Sequence, residues 1–214
     1  MDMISRSRLI IANIAGVLVI CFFIAAGAYF YYEKSNFIKT EDAVVAADMM
    51  PVVAPAPGVL ASWNIQEGVD VSDKSIVGGV SDGTKTIPVS SRMKGKIIKN
   101  DARAGQPVQA GQVLAQEADM DHLYIIANIK ENRLKDIKIG QSVDVTVDGD
   151  PGAKFEGVVK TIGYATNSVF SVLPQQGSTG SYTKVTQKIP VKISINQVSS
   201  KVLPGMNAEV KISI

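Results

Sequence analysis

The sequence has one cysteine and one histidine in 214 residues. A single thiol excludes a disulfide framework and any thiolate metal site built within the chain. A single imidazole removes most metal-ligand sets and the Ser-His-Asp arrangement. Charge of one sign is lacking as well: 22 Lys and Arg stand against 20 Asp and Glu, a formal net charge of +2. Nucleic-acid binding normally leaves a clustered basic footprint, so no nucleic-acid partner is expected. No Gly-Lys-Ser/Thr phosphate loop is present, so the chain has no visible means of using a nucleoside triphosphate. These absences point to a non-enzymatic protein with no catalytic residues, cofactor or metal. Apolar residues, by contrast, make up 46% of the chain and charged ones 20%. That balance rules out wholesale disorder.

From Leu9 to Tyr32 no side chain is charged. As a helix this uninterrupted run spans about 36 Å, against a hydrocarbon core of about 30 Å. Leu, Ile, Val and Phe make up half of it. Their insertion is worth about −5 kcal/mol in sum, which outweighs the lone Asn13. Tyr29, Tyr31 and Tyr32 cluster at the far end, where aromatic rings settle at headgroup level. Arg6 and Arg8 precede the run with only Asp2 opposing them. Residues 1–8 are therefore expected in the cytoplasm and everything after Glu33 on the other side. The competing reading is a cleaved secretory signal ending near Ala26-Gly27-Ala28. A signal's apolar region is usually about 7–15 residues, however, and this one runs on through Tyr29 and Phe30. The reading is an uncleaved anchor at 9–32 in contact with the lipid bilayer. Cys21 falls inside it as a small apolar filler.

Beyond the anchor, with Arg6, Arg8 and Asp2 set aside, basic and acidic side chains are almost equal in number. Segments there are short, β-branched and punctuated by Gly, Pro, Asn and Asp, which reads as mainly β. The best helix candidate is Lys130 to Ile137, with Leu134 and Ile137 on one face. An internal repeat is more informative. Offsetting the sequence against itself by 37 positions lays Pro51-Val52 on Pro88-Val89, Gly58 on Gly95, Gly68 on Gly105 and Val71 on Val108. Leu60, Ile76 and Val77 meet Ile97, Val113 and Leu114. In each copy a Gly starts a strand, a second Gly ten positions later turns the chain, and an apolar strand follows. Two such units, each with an apolar face, are expected to pair into a flattened barrel. The segments Pro55-Ala56-Pro57-Gly58-Val59 and Gly68-Val69-Asp70-Val71 resemble biotinyl/lipoyl domains. In the carrier members of that family a lysine sits on the turn between the halves. Lys85 lies near the corresponding place, but without the flanking Asp-Lys-Ala or Met-Lys-Met, and a solvated loop lysine is the better reading.

From Asp119 onward the pattern changes. Leu123 to Asn128 reads as a buried strand, Gly140 to Val147 as a half-buried one, and Phe155 to Ile162 as a third. After Pro204-Gly205-Met206, Ala208, Val210, Ile212 and Ile214 alternate with polar residues. Several strands around one short helix suggest a small antiparallel barrel. Other residues invite sharper readings. His122 beside Asp119 and Asp121 suggests a metal or acid-base site, but without a second His a surface loop is favoured. Ser90, Ser91 and Lys94 have no visible oxyanion pocket. Lys94, Lys96 and Lys99 form a stripe that reads as solvated. Trp63 is either a contact anchor or core. Gln175-Gln176-Gly177-Ser178 reads as a polar loop.

In combination these segments resemble the membrane fusion proteins, or periplasmic adaptors, of the haemolysin-secretion type. The likeness is greatest to the multidrug-efflux adaptors paired with major facilitator transporters. Thr40-Glu41-Asp42-Ala43-Val44-Val45-Ala46 stands where that family has its first strand after the anchor. Val53 to Gly58 matches the start of its lipoyl domain and Gly105 to Leu114 the end. Phe170-Ser171-Val172-Leu173-Pro174, Thr179-Gly180 and Lys184-Val185-Thr186-Gln187-Lys188-Ile189-Pro190-Val191 resemble a segment of the drug-export branch, and Pro204-Gly205-Met206 its terminal strand motif. Phe170, Pro174, Gly180, Lys184, Gln187, Pro190, Pro204 and Gly205 are the family-motif positions.

The resemblance implies a fold of transmembrane helix, lipoyl-like barrel-sandwich hybrid domain and small antiparallel β-barrel. The corresponding division is a tail at 1–8, the helix at 9–32, and a linker and first barrel strand at 33–50. A lipoyl-like domain follows at 51–118, with halves 51–77 and 88–114, and a barrel at 119–214. It further implies a partner transporter in the cytoplasmic membrane, of major facilitator type, and self-association. Many adaptors insert a long α-helical hairpin between the lipoyl halves. Here only the stretch from Gly78 to Ile87 joins them, a reach of no more than about 35 Å. An outer-membrane channel is therefore not expected as a partner. Two alternatives stay open: a carrier modified on Lys85, and a cell-envelope structural protein without a transport role.

Overall fold

The uncharged run lies within one α-helix, α1 (Met3–Asn36), in a computed structural model that describes residues 3–170, 186–196 and 198–214. Val17, Leu18, Ile20, Phe22, Phe23 and Ile24 are all exposed, so this stretch of the helix buries none of them against the rest of the chain. From Gly16 to Asn36 it is long and apolar enough to cross a membrane. A bare apolar cylinder of this kind is stable in lipid, where all its backbone groups are paired internally. The helix continues past Tyr32 through residues 33–36, and strand β1 (Phe37–Ala46) follows at once. The amide of Ile214 donates to the Asn36 carbonyl at 2.9 Å, which ties the other end of the chain to the same point.

Eight short strands follow: β2 (Met49–Val53), β3 (Gly58–Trp63), β4 (Asp70–Val71), β5 (Ile76–Ser81), β6 (Thr86–Ser90), β7 (Gly95–Asn100), β8 (Pro107–Val108) and β9 (Val113–Ala118). Adding 37 to the bounds of β2, β3, β4 and β5 gives those of β6, β7, β8 and β9. They form two four-stranded sheets, ordered β2-β9-β7-β4 and β6-β5-β3-β8. Each sheet takes strands from both copies, so neither copy forms a sheet alone. The connecting hydrogen bonds repeat as well. Gly68 N donates to Ile97 O at 2.8 Å, and Gly105 N to Leu60 O at 2.7 Å. Ala54 N donates to Gln112 O at 2.9 Å, and Ser91 N to Ser75 O at 2.9 Å. Between the sheets Val52, Leu60, Val71 and Val77 are buried with their counterparts Val89, Ile97, Val108 and Leu114. Each copy hides an apolar face that would otherwise meet water.

The remaining strands are β10 (Tyr124–Lys130), β11 (Ser142–Val147), β12 (Lys154–Ile162), β13 (Lys188–Ile195) and β14 (Asn207–Ser213). With β1 they close a six-stranded barrel in the order β1-β10-β13-β12-β11-β14. Period-two alternation turns Val45, Ile125, Ala127, Val143, Val145, Val191, Ile193, Val210 and Ile212 inward. Closure leaves no open sheet edge. The helix candidate at Lys130–Ile137 is a short 3₁₀ helix, Glu131–Asp136. Three-residue spacing of Leu134 and Ile137 matches the three residues per turn of that form, which is used in short pieces. Trp63, left open between surface and core, is 8% exposed and belongs to the sandwich core.

Candidate functional site

Two places stand apart from the packed cores: the tip of the sandwich and the junction between anchor and barrel. At the tip, Ser81 on β5 pairs with Thr86 on β6. Only Asp82, Gly83, Thr84 and Lys85 lie between them, and all four are exposed. Asp82 organises the turn by accepting from Thr84 N at 2.8 Å, Lys85 N at 2.9 Å and the Thr84 hydroxyl at 2.7 Å. The Lys85 amide, then the Thr84 hydroxyl and amide, hold its carboxyl down at about 2. A closed turn of four residues thus joins β5 directly to β6. Lys85 sits on it, exposed.

At the junction, α1, β1, β10, the 3₁₀ helix and β13 surround a cavity of about 690 Å³. Its walls carry five cationic side chains, Lys34, Lys39, Lys130, Arg133 and Lys188, with Glu33 as the single acid. Strand register explains the convergence. β1 begins at this end of the barrel, β10 finishes there, and Lys130 pairs with Lys188 at the start of β13. Glu33 pairs with Lys39 at 2.5 Å and Lys211 at 3.6 Å, linking the helix end to the barrel. Asp42 accepts from Asn128 Nδ2 at 2.9 Å and from Lys188 Nζ at 2.7 Å, and these two bonds lower its pKa. Arg133 Nε is buried without a hydrogen bond, 3.3 Å from the Asp136 carboxylate.

The residues singled out in the sequence are distributed as follows. Leu9 to Tyr32 lies inside α1. Gly58 and Gly95 begin β3 and β7, and a Cβ on either would lie 2.9 Å from the carbonyl carbon of Ser81 or Ala118 and nearer still to its oxygen. Gly68 and Gly105 have φ of +85° in open surroundings. Phe170 ends a short 3₁₀ turn, Asn167–Phe170. Pro174, Gly180 and Lys184, with the Gln175–Ser178 loop, lie outside the described residues. The Gln187 carbonyl accepts from Glu131 N at 2.9 Å and that of Pro190 from Gly163 N at 2.8 Å. Gly205 turns the chain into β14 with φ of +92°, its amide donating to Val45 O at 2.8 Å. His122 is exposed, with Nδ1 2.7 Å from Asp119, and among the described residues no acidic, His or Cys group could hold a metal ion. Lys94 pairs with Asp121 and Lys96 with Asp70, each at 2.7 Å.

Two features escaped the sequence reading. The cavity draws its cations from segments as distant in the chain as those of Lys34 and Lys188, which leaves no local pattern to detect. Glu117 is 0% exposed on β9, with Oε2 2.7 Å from the Ser91 hydroxyl and Oε1 accepting from Arg92 N at 2.7 Å. A signal for it existed: shifted by 37, Glu117 falls on Val80, an apolar position of the first copy.

Comparison with known proteins adds a context. Residues 48–119 match the family model described as the YhbJ barrel-sandwich hybrid domain. The chain is 54% identical over 209 residues to the putative efflux system component YhbJ of Bacillus subtilis, covering 98% of this chain and 94% of that one. It is 31% identical over 130 residues to the multidrug export protein EmrA of Haemophilus influenzae, 59% of this chain but 33% of that one. The chain thus spans about a third of the EmrA sequence. A solved membrane fusion protein from Streptococcus pneumoniae superposes with a TM-score of 0.56 at 13% identity, covering 83% of this chain and 98% of that one. Identity that low speaks to fold alone.

Proposed function

The chain belongs to the membrane fusion proteins, in the family of YhbJ, and from that premise we propose that it is the membrane-anchored adaptor subunit of a multidrug or small-molecule efflux system. Its partner is a transporter in the cytoplasmic membrane, of major facilitator type, whose exit path the barrel and sandwich hold and extend. Residues 1–8 lie in the cytoplasm and the β domains on the other side. The observation that carries this reading is the direct passage of an unpacked apolar helix into a closed barrel, in a chain 54% identical to an efflux component over nearly its whole length. Arg6 and Arg8 support the orientation. The four-residue tip supports a system that does not extend to an outer-membrane channel, because such a turn reaches at most about 15 Å.

Deleting the gene is expected to raise intracellular accumulation of at least one efflux substrate, and expression of the full chain to restore the original level. Unchanged accumulation across a broad panel of compounds would favour the envelope-structural alternative. Orientation has its own measurement. Lys85→Cys adds a thiol on the exposed tip, while Cys21 stays within the span. In intact cells the variant is expected to react with a membrane-impermeant maleimide and the parent chain to stay unlabelled. Labelling only after lysis would reverse the topology.

A further inference from the structure

We propose that the cavity where the anchor meets the barrel binds the phosphate of an anionic lipid headgroup. The proposal rests on α1 being a membrane anchor and is independent of which leaflet it ends in. Depth is the first argument. The cavity wall starts at Glu33 and Lys34, directly after the tyrosines that end the apolar run, and continues through Phe37 to Thr40. Lys34 is two residues beyond Tyr32, a rise of about 3 Å. The headgroup layer on each side of the hydrocarbon is about 5–7 Å thick, so the opening lies within it.

Charge is the second argument. Three of the five cations have carboxylate partners: Lys39 with Glu33, Lys188 with Asp42 and Arg133 with Asp136. Lys34 and Lys130 have no ion-pair partner among the described residues. Two positive charges are therefore left over on a concave wall, where low-dielectric surroundings focus the field. The donor inventory is the third. Ammonium groups, the Arg133 guanidinium and the Asn132 amide line the same space. These suit a phosphate, which offers acceptors only, better than a zwitterionic headgroup that brings its own cation. The volume of about 690 Å³ holds a phosphate with its glycerol, and Phe37 supplies an apolar wall beside them.

The test uses the full chain in nanodiscs of phosphatidylcholine with a minor share of phosphatidylglycerol. Lipid that stays bound through mild detergent exchange is counted by native mass spectrometry. Each unpaired lysine near an anionic group is worth about fivefold, so retained phosphatidylglycerol should be enriched roughly tenfold or more over its share in the disc. Combining Lys34→Gln with Lys130→Gln should return the ratio to that of the disc. Lys94→Gln with Lys99→Gln, on the sandwich, should leave it unchanged. Unfolding midpoints equal to the parent's establish that the variants fold. Equal retention of the two lipids by the parent chain, or enrichment that survives the Lys34/Lys130 exchange, would overturn the proposal. So would displacement of the bound lipid by inorganic phosphate together with saturable phosphate binding to lipid-free protein, which would assign the cavity to a soluble anion. Failure of the chain to enter nanodiscs at all would refute the anchor itself, and is read separately from lipid selectivity.

Discussion

Gly58→Ala is expected to destabilise the sandwich by about 3 kcal/mol or more, and Gly95→Ala to do the same. The added methyl at 58 would sit 2.9 Å from the Ser81 carbonyl carbon and closer still to its oxygen. At 95 it would meet the Ala118 carbonyl in the same way, again 2.9 Å from the carbon. The obstacle is backbone in both cases, on β5 and β9, so no side-chain rotation relieves it. Gly68→Ala provides the contrast. Its φ is +85°, but nothing lies within 4 Å of an added Cβ, so only the left-handed backbone is penalised, by about 1 kcal/mol. The fold already tolerates one such penalty, because Lys74, the repeat counterpart of Gly111, adopts φ of +62°. Thermal unfolding of the three variants would separate the mechanisms. For a unit of this size each kcal/mol shifts the midpoint by about 4–8 °C, so Gly58→Ala should fall roughly 15 °C and Gly68→Ala roughly 5 °C. Equal shifts would mean that the close approach of strands at 58 and 95 is relieved by sliding, and that the glycines serve conformation alone.

Those glycines, with Gly105, also show what the sequence could and could not disclose. Their spacing discloses a repeat, since turns and strand starts constrain residue type whatever the surroundings. The different reasons for them do not show, because positive φ and close approach both select glycine. The offset of 37 was visible, yet the interleaving of the two copies was not. Strand partners such as β2 and β9, the first and last strands of the sandwich, are too far apart in the chain to leave a periodic trace. The barrel strands were legible from alternation at Val143, Val145 and Val147 and at Ala208, Val210 and Ile212. The helix at Lys130–Ile137 was legible but its type was not, because three-residue spacing does not distinguish a 3₁₀ turn from one turn of α-helix.

The junction was harder to read than either domain. Lys34, Lys130, Arg133 and Lys188 each look like ordinary solvated cations in their own segments. Only barrel closure brings the start of β1, the end of β10 and the start of β13 to one rim beside the helix. The anchor, by contrast, needed no tertiary information, since length and lack of charge suffice. The protein thus divides into elements that announce themselves locally and a site assembled by topology. Mutations at the site should therefore change binding with little effect on folding, whereas mutations at the repeat glycines should do the reverse.

Glu117→Val is expected to cost about 3 kcal/mol, even though valine is apolar, fits a buried strand and stands at the equivalent place in the other copy. The reason lies in three paired positions. Shifted by 37, Glu117, Ser91 and Arg92 correspond to Val80, Ala54 and Pro55. In the first copy all three are without a polar hydrogen to satisfy: Val80 and Ala54 have buried apolar side chains, and Pro55 has no amide hydrogen. In the second copy a hydroxyl and an amide hydrogen are present, with a carboxyl group to receive them. Ser91 Oγ lies 2.7 Å from both Glu117 Oε2 and Met93 O, and Arg92 N donates to Glu117 Oε1 at 2.7 Å. Valine at 117 removes the only hydrogen-bond acceptor described for the Arg92 amide, and a part-buried donor left unpaired costs about 1–3 kcal/mol. Glu117→Gln keeps an acceptor for Arg92 and a polar partner for Ser91, and should cost roughly 1 kcal/mol. Adding Ser91→Ala and Arg92→Pro to Glu117→Val transplants the whole apolar set. Ala54 N and Ser91 N make equivalent bonds to Gln112 O and Ser75 O, so the backbone leading into the new proline matches that before Pro55. The triple variant should therefore recover to within about 1 kcal/mol of the parent chain, well above Glu117→Val alone. Denaturant unfolding of the single and triple variants measures this coupling. A triple variant less stable than Glu117→Val would show that the carboxyl group holds the second copy together in a way the first copy does not require.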